Sequence, residues 1–346
     1  MFRIILLILL LFPLKAMACA CGGHSLFGGV GLATPLITVP AHTLDRGQFA
    51  LSTGINYQNF HEFGISDFRR INARREHTHS LSSQMQVFMS AAYGVTDDID
   101  IIVTYPFNAT YGLLTTFQGI TIDDGNSIGL GDMNLITKYR FLNLEESGFS
   151  AALLGGIKFP TGSTSETNEF GFALGADDQP GTGSYDPLFG LAVSKVFDTF
   201  NLDANVLYLL STEGFQDVIA GDVLNFNLAL SYAIKEDVCE LGNCPSYREK
   251  FHSYLSKLFP SKVLGQDLAW SLFTEINGAW QEKTEFQGIK DDSHGGMIIN
   301  WMNGLKLAIN ERFIWAMGVS FPMIQDLNGT QPDAGVALSS NISVVF

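Results

Sequence analysis

From Val336 to Phe346 the chain alternates between apolar and small or polar side chains. Val336, Leu338, Ile342, Val344 and Phe346 fall on one phase; Ala337, Ser339, Asn341 and Ser343 fall on the other, and only Ser340 breaks the apolar phase. Successive strand side chains point to opposite faces, so this pattern predicts a strand with one oily and one polar side. Eleven further stretches show the same period of two. Their apolar phases run over residues 49–57, 85–93, 99–107, 133–141, 149–159, 189–193, 202–210, 224–234, 270–280, 299–309 and 313–321. The clearest sets Leu224, Phe226, Leu228, Leu230, Tyr232 and Ile234 against Asn225, Asn227, Ala229, Ser231, Ala233 and Lys235.

The connections alternate in length. Short turns are expected after the second, fourth, sixth and tenth strands, and long loops after the first, third, fifth, seventh, ninth and eleventh. A soluble sandwich has no reason for this alternation, whereas a membrane barrel has short turns on one side and long loops on the other. Trp270 and Trp280 share one face of the ninth strand. Ten residues at about 3.3 Å each, tilted by roughly 40°, separate them by about 25 Å along the membrane normal, which matches the spacing of the two aromatic girdles.

The amino terminus supports export. Arg3, the apolar run from Ile4 to Pro13 and the small-x-small site Ala16-Met17-Ala18 read as a signal peptide over residues 1–18. Its apolar run is too short to span a bilayer as a helix, and no other segment offers eighteen continuous apolar residues. A helical membrane protein is therefore excluded, although 46% of residues are hydrophobic and the mean hydropathy is +0.17. The expected fold is all-β: a transmembrane antiparallel up-and-down barrel of about twelve strands over residues 49–346, in the outer membrane of a Gram-negative cell. Its lipid face would meet outer-membrane lipid and lipopolysaccharide. The net charge of −15 argues against a nucleic-acid partner.

Two segments depart from the pattern. Residues 19–48 follow the signal, are glycine-rich at their start and lack alternation; they form either a plug in the lumen or a tail below it. Residues 236–267 replace a short turn with a helical insertion. Pro245, the capping box Ser246/Glu249 and the stripe Tyr247, Phe251, Tyr254, Leu255, Leu258, Phe259 carry the helical signal. That helix could pack on the rim, lie on the membrane or dock a periplasmic partner through residues 245–259. Cys239 and Cys244 are a disulfide candidate in an oxidising compartment. Cys19, Cys21 and His24 are candidate metal ligands, although a disulfide, free thiols or lipidation of Cys19 would also satisfy the pattern.

If the oily faces meet lipid, the opposite phase lines the lumen. Its polar members are Asn56, Gln84, Gln86, Asp100, Lys138, Arg140, Lys158, Asp203, Asn205, Asn227, Glu275 and Lys306, a wet wall of mixed sign. The first long loop concentrates Arg69, Arg70, Arg74 and Arg75, which suit phosphate or another anion, followed by His77 and His79, which could hold a metal at the pore mouth. A solvated loop is the plainer alternative. Ser80, Ser82 and Ser83 lie near the histidines, but no G-x-S-x-G or comparable motif accompanies them. Gly29-Val-Gly31 lacks the rest of a dinucleotide fingerprint. The sequence therefore reads as a non-enzyme with no cofactor.

Six turn motifs give a resemblance. They are Ala91–Asp98 (AAYGVTDD), Gly129–Asp132 (GLGD), Lys158–Gly162 (KFPTG), Gly181–Pro187 (GTGSYDP), Glu275–Gly278 (EING) and Gln325–Gly329 (QDLNG). With the strand pattern they resemble an outer-membrane barrel family named after the meta-pathway of phenol degradation, over about residues 34–346. The resemblance implies a porin-like transporter or channel for small solutes, often hydrophobic or aromatic. The rival expectation is a plugged receptor or assembly barrel that holds a partner or metal through its amino-terminal segment, outer loop or insertion.

Overall fold

The computed structural model describes residues 36–197, 199–234, 258–259, 261–263, 266–310 and 312–346. Twelve long strands form the wall: β1 Phe49–His61, β2 Ser83–Thr96, β3 Ile99–Phe117, β4 Met133–Leu144, β5 Phe149–Phe159, β6 Asp186–Val196, β7 Phe200–Leu209, β8 Val223–Ile234, β9 Gln266–Gln281, β10 Gly296–Ile309, β11 Phe313–Leu327 and β12 Asp333–Val345. Each pairs antiparallel with its sequence neighbours. The β8–β9 pair spans the insertion in unbroken register from Val223 opposite Gln281 to Ile234 opposite Trp270. β1 then closes on β12, with Ala50 opposite Val345 and Ser52 opposite Ser343. The sheet is therefore a closed up-and-down barrel, in which every ladder is paired and no edge is left.

Alternation sets the faces. Leu51, Met89, Leu153, Leu228, Ile276 and Leu338 are exposed on the outside. Their inward counterparts, such as Ser52, Ser90, Asp100, Asn134, Lys138 and Glu275, are buried. An apolar surface wrapping the whole wall is far larger than a soluble monomer presents, and it is the surface a barrel offers to lipid. Aromatic pairs band the outer face near both ends. Phe49 and Phe346 lie 6.5 Å apart, Phe200 and Tyr232 4.9 Å, and Phe189 and Tyr208 5.4 Å. Trp280 is exposed on the outer face, and Trp270 packs 5.2 Å from Phe259 of the insertion.

At the end where β1 begins and β12 finishes, the connections are short apart from the insertion between β8 and β9; at the opposite end lie the loops. Two expected loops are largely absorbed by strand. Beyond β3, residues Ile120–Leu130 turn back and pair with its far end, from Phe117 opposite Ile120 to Phe107 opposite Leu130. Between β11 and β12 only residues 328–332 remain outside strand. The expected insertion at 236–267 ends slightly earlier, because β9 begins at Gln266. Its Cys239 and Cys244, its helical stretch up to residue 257, the signal peptide and the Cys19, Cys21 and His24 set lie outside the described residues.

The first loop contains a helix that periodicity did not predict, α1 Ile65–Arg74. Asp67, the third residue of the first turn, accepts a hydrogen bond from the Gly64 N–H at 3.1 Å, and a carboxylate there interacts favourably with the helix dipole. Arg75 ends it in the left-handed region at φ 58°. Only Ile71 is fully buried; Phe68 packs edge-on against Phe63, Asn72 donates to Thr121 Oγ1 at 3.1 Å, and the arginines lie outside.

Candidate functional site: a lumen closed at both ends

Residues 36–48 enter the barrel and lie against its inner wall. The Glu275 carboxylate on β9, fully buried, accepts from the Leu36 N–H at 2.6 Å, the Ile37 N–H at 3.2 Å and the Thr38 N–H at 2.9 Å. It also accepts from the Thr38 hydroxyl at 2.8 Å. The next donor, Val39 N–H, meets Asn205 Oδ1 on β7 at 2.9 Å. Pro40 has no N–H to place, and Ala41 N–H meets Ser194 Oγ on β6 at 2.9 Å. Farther along, Leu44 N–H reaches Asp100 Oδ1 on β3 at 3.1 Å, and the His42 carbonyl accepts from Lys138 Nζ on β4.

These acceptors form a ladder around the wall. Asn277 donates to Asn227 at 3.1 Å and Asn227 to Asn205 at 3.3 Å, each directly opposite the next across the sheet. Ser194 Oγ then donates to Asp203 at 2.6 Å. An irregular segment inside a barrel must have its backbone groups satisfied, and this row of inward polar side chains satisfies them. Apolar side chains complete the fit. Leu36 packs with Phe273, Met302 and Ala316, and Ala41 packs with Ile136, Leu154, Leu188 and Leu207. The interior is thus drier than the expected wet wall, because β4 to β7 also place large apolar residues inward where the segment rests.

The expected lumen residues separate into groups. Glu275, Asn205, Asp203, Asp100 and Lys138 are buried beneath the segment, with Lys138 Nζ 3.1 Å from Asp100. Lys306 is half-buried on β10 opposite Ser271. Asn56, Gln84, Gln86 and Asn227 line a cavity of about 130 Å³ whose floor includes Ile37 and Val39. Gln84 and Gln86 also border a second cavity of about 230 Å³ on the loop side, so the two meet at β2. Arg140 is a correction: it lies at the terminal-end rim, not in the lumen. It bonds Asp98 and the Asp97 carbonyl of the β2–β3 turn at 2.9 and 2.8 Å. A strand end places a long side chain beyond the wall, where it can reach the turn and water.

Lys158 belongs to a third group, which joins three of the turn motifs. Its ammonium pairs with Asp186, lies 3.7 Å from Asp132 and donates to Thr182 Oγ1 at 2.6 Å. Asp132 in turn accepts from the Gly162 N–H at 2.9 Å and the Thr182 N–H at 2.8 Å. GLGD, KFPTG and GTGSYDP therefore meet as one buried network at the loop end of β4, β5 and β6. The approach depends on two glycines: a Cβ on Gly181 would stand 2.6 Å from the Gly162 Cα. Gly181→Ala is expected to lose about 1–3 kcal/mol by overpacking, seen as a lower urea midpoint for the heat-modifiable gel band; an unchanged midpoint would show that the turns can separate.

The roof of the larger cavity is a cluster of histidines and carboxylates. Residues Thr78–Ser80 form a short strand on the end of β3, with His79 opposite Thr115, and this carries His77 and His79 inward. Asp177 and Asp178 come from the single turn Ala176–Asp178 in the β5–β6 loop. Asp291 and His294 come from the β9–β10 loop. His79 Nε2 and His294 Nε2 each lie 2.9 Å from Asp177 Oδ2. His79 Nδ1 faces Asp178 at 3.0 Å, His294 Nδ1 faces Asp291 at 3.5 Å, and His77 Nδ1 meets Asp291 at 2.6 Å.

Burial opposes charge on His79, but Asp178 and Asp177 outweigh it and hold its pKa well above the ordinary imidazole value. Burial likewise opposes ionisation of Asp177, but His79 and His294 keep its pKa well below the usual range. Asp178 is pushed up by burial and by Asp177, against the pull of His79. Asp291 is held low despite burial by hydrogen bonds from His294, His77 and the Ser293 N–H.

The six expected outer-loop residues are thus divided. Arg69, Arg70, Arg74 and Arg75 are exposed on or beside α1, where Arg70 pairs with Asp67 at 3.1 Å and Arg74 with Glu76 at 3.5 Å. His77 and His79 instead join the roof. Their partners Asp177, Asp178, Asp291 and His294 were missed, being about 100 and 215 residues distant in sequence. The available signal was the His77-x-His79 spacing, which puts both rings on one side of a strand.

A closed, antiparallel, up-and-down barrel of twelve strands with an apolar outside has the architecture of an outer-membrane channel. Residues 72–243, about half of the chain, match the family described as "Putative MetA-pathway of phenol degradation". The resemblance drawn from the turn motifs is borne out: over this segment the chain is a member of that family. The fold is similar to the crystal structure of an outer membrane channel from Pseudomonas putida F1, with TM-score 0.58 and 12% identity over 88% of this chain and 98% of that one. The NanC porin aligns with TM-score 0.41 and 8% identity over 86% of this chain and 98% of its own. LpxR from Salmonella typhimurium aligns with TM-score 0.40 and 10% identity over 85% of this chain and all of its own, 100%. No curated protein matches the sequence.

Proposed function

We propose that the protein is an outer-membrane channel for small, weakly polar solutes, gated by its own amino-terminal segment. The observation that carries this reading is the pair of cavities that meet at Gln84 and Gln86 and end on Ile37 and Val39. With the short turns and the carboxy-terminal strand end on the periplasmic side, as in such barrels, the segment is a periplasmic floor and the loop cluster an outer roof. The chamber walls mix Leu81, Phe88, Leu113 and Leu209 with amides and hydroxyls. Such a lining suits a compact molecule with an apolar body and one or two polar groups. At about 230 Å³, the larger cavity is below the range of about 300–1,000 Å³ typical of drug-sized ligands. The family description, which refers to phenol degradation, agrees with a solute of that size and polarity.

Liposomes loaded with the purified protein test this reading. Uptake of phenol-sized aromatic alcohols should exceed uptake of disaccharides by at least about tenfold, and single channels should be small and mostly closed. Equal rates for both solutes, or uptake no faster than in empty liposomes, would contradict it. A plugged receptor is the second reading, favoured by the eight backbone and side-chain bonds that hold residues 36–44 to the strands. It predicts no uptake until the segment is released.

A further inference from the structure

We infer that His79, His294 and Asp177 form a binding site for one divalent first-row transition ion, which clasps three outer loops over the chamber. The inference stands whether or not the barrel conducts. His79, His294 and Asp177 each offer one ligand atom, a ring nitrogen or a carboxylate oxygen, and these lie within 4.8 Å of one another. The two nitrogen–oxygen separations are both 2.9 Å. Ligand atoms about 2.1 Å from a common ion stand about 3.0 Å apart when they occupy adjacent octahedral positions. The two nitrogen–oxygen separations therefore match an octahedral edge and fall short of the tetrahedral edge of about 3.4 Å, so a four-coordinate ion needs the ligands to part by about half an ångström. As a hydrogen-bonded pair the same atoms fit less well, because His79 Nε2 lies outside hydrogen-bond geometry despite its short contact.

The surrounding groups are arranged as supports for metal ligands. Histidine ligands commonly direct their other nitrogen to a carboxylate, which fixes the tautomer and increases basicity. Here His79 Nδ1 lies 3.0 Å from Asp178 and also bonds Thr115 Oγ1 at 3.3 Å, and His294 Nδ1 lies 3.5 Å from Asp291, a contact that has to shorten to act as such a support. Both imidazoles have side chains only 4% exposed. Charge points the same way. Asp177, Asp178 and Asp291 have no lysine or arginine among their ion-pair partners within the described residues. A divalent cation with neutral imidazoles balances most of this charge. Two nitrogen donors disfavour calcium and magnesium, which prefer oxygen-only shells, and favour zinc and its neighbours. His77, 24% exposed and bonded to Asp291, forms a second, more exposed grouping with Asp291 and His294, and we assign it to support of the more deeply buried His79 set. The ligands come from the β1–β2, β5–β6 and β9–β10 loops, so one ion would join three parts of the roof.

The test uses the full chain in detergent, stripped with chelator, with Cys19, Cys21, Cys239 and Cys244 replaced by serine so that thiolates cannot compete. Zinc added and then separated by gel filtration should remain at one ion per chain in excess calcium and magnesium. It should also raise the temperature at which the folded gel band is lost by about 5 °C or more. His79→Gln and His294→Gln should each weaken zinc binding at least tenfold, and His77→Gln should retain the ion. Absence of stoichiometric zinc in the stripped protein, unchanged binding in either ligand variant, or complete loss in His77→Gln would overturn the assignment. Should the ligand variants fail to fold, zinc X-ray absorption of the parent protein decides: two imidazoles in a nitrogen and oxygen shell are expected, and a shell without them contradicts the site.

Discussion

Glu275→Ala should both weaken the barrel and open it. The substitution leaves the N–H groups of Leu36, Ile37 and Thr38 and the Thr38 hydroxyl without their carboxylate, in a place where Glu275 itself has no exposed surface. Unsatisfied buried donors cost about 1–3 kcal/mol each before relaxation. Release of the segment limits the total, so a net loss of about 3–5 kcal/mol is expected. The relaxation is the functional consequence, since residues 36–41 would leave the wall and single-channel current should rise severalfold in planar bilayers. Glu275→Gln should have a smaller effect, since it retains one acceptor oxygen but turns an NH₂ toward donors. A Glu275→Ala protein with parental conductance and stability would show that the segment is held by its apolar contacts instead.

Lys138→Met should be the most damaging substitution on the opposite wall. Lys138 and Asp100 are 3% and 2% exposed, and their charged atoms lie 3.1 Å apart. Removing one member of a buried ion pair typically costs about 3–5 kcal/mol, because the remaining charge has neither partner nor water. The His42 carbonyl also loses its donor. Adding Asp100→Asn should recover most of the loss, since the amide oxygen still accepts from the Leu44 N–H and carries no charge. The measurement is the urea midpoint of the folded gel band for the parent, the single variant and the double variant. Equal midpoints for parent and Lys138→Met, or no recovery in the double variant, would contradict this reading of the pair.

The wall was legible because a barrel repeats one rule. All twelve expected strands are present, and Leu224 to Ile234 faces as its alternation requires. What the strands enclose was less legible. Residues 36–48 have no period, since they form neither helix nor sheet, and their bonds run from backbone groups to side chains up to 239 residues away. Their hosts were visible as inward polar positions, but Glu275 and Asn205 carry no local mark of what they bind. The apolar inward residues Ile136, Leu154 and Leu207 were hidden for a related reason. Ile136 stands between Asn134 and Lys138, Leu154 between Ala152 and Gly156, and Leu207 beyond Asn205, so no single strand reveals that these side chains meet as a dry patch. Helix α1 escaped because its ten residues contain only one fully buried side chain. Among outer-loop residues, sequence proximity grouped the arginines with the histidines, whereas the fold sends the former outward and gives the latter distant partners.

The most direct test of the whole account is a nitroxide scan of β8, one label at a time from Leu224 to Ile234, in lipid bilayers. The predicted result is a two-residue rhythm: labels at even positions, including Leu228 and Leu230, are relaxed by oxygen dissolved in the acyl chains, whereas those at Asn225, Asn227 and Ser231 are shielded from it. A flat profile, or labels at 228 and 230 reached by a water-soluble relaxant instead, would contradict a barrel that meets lipid outside and encloses its own chain within.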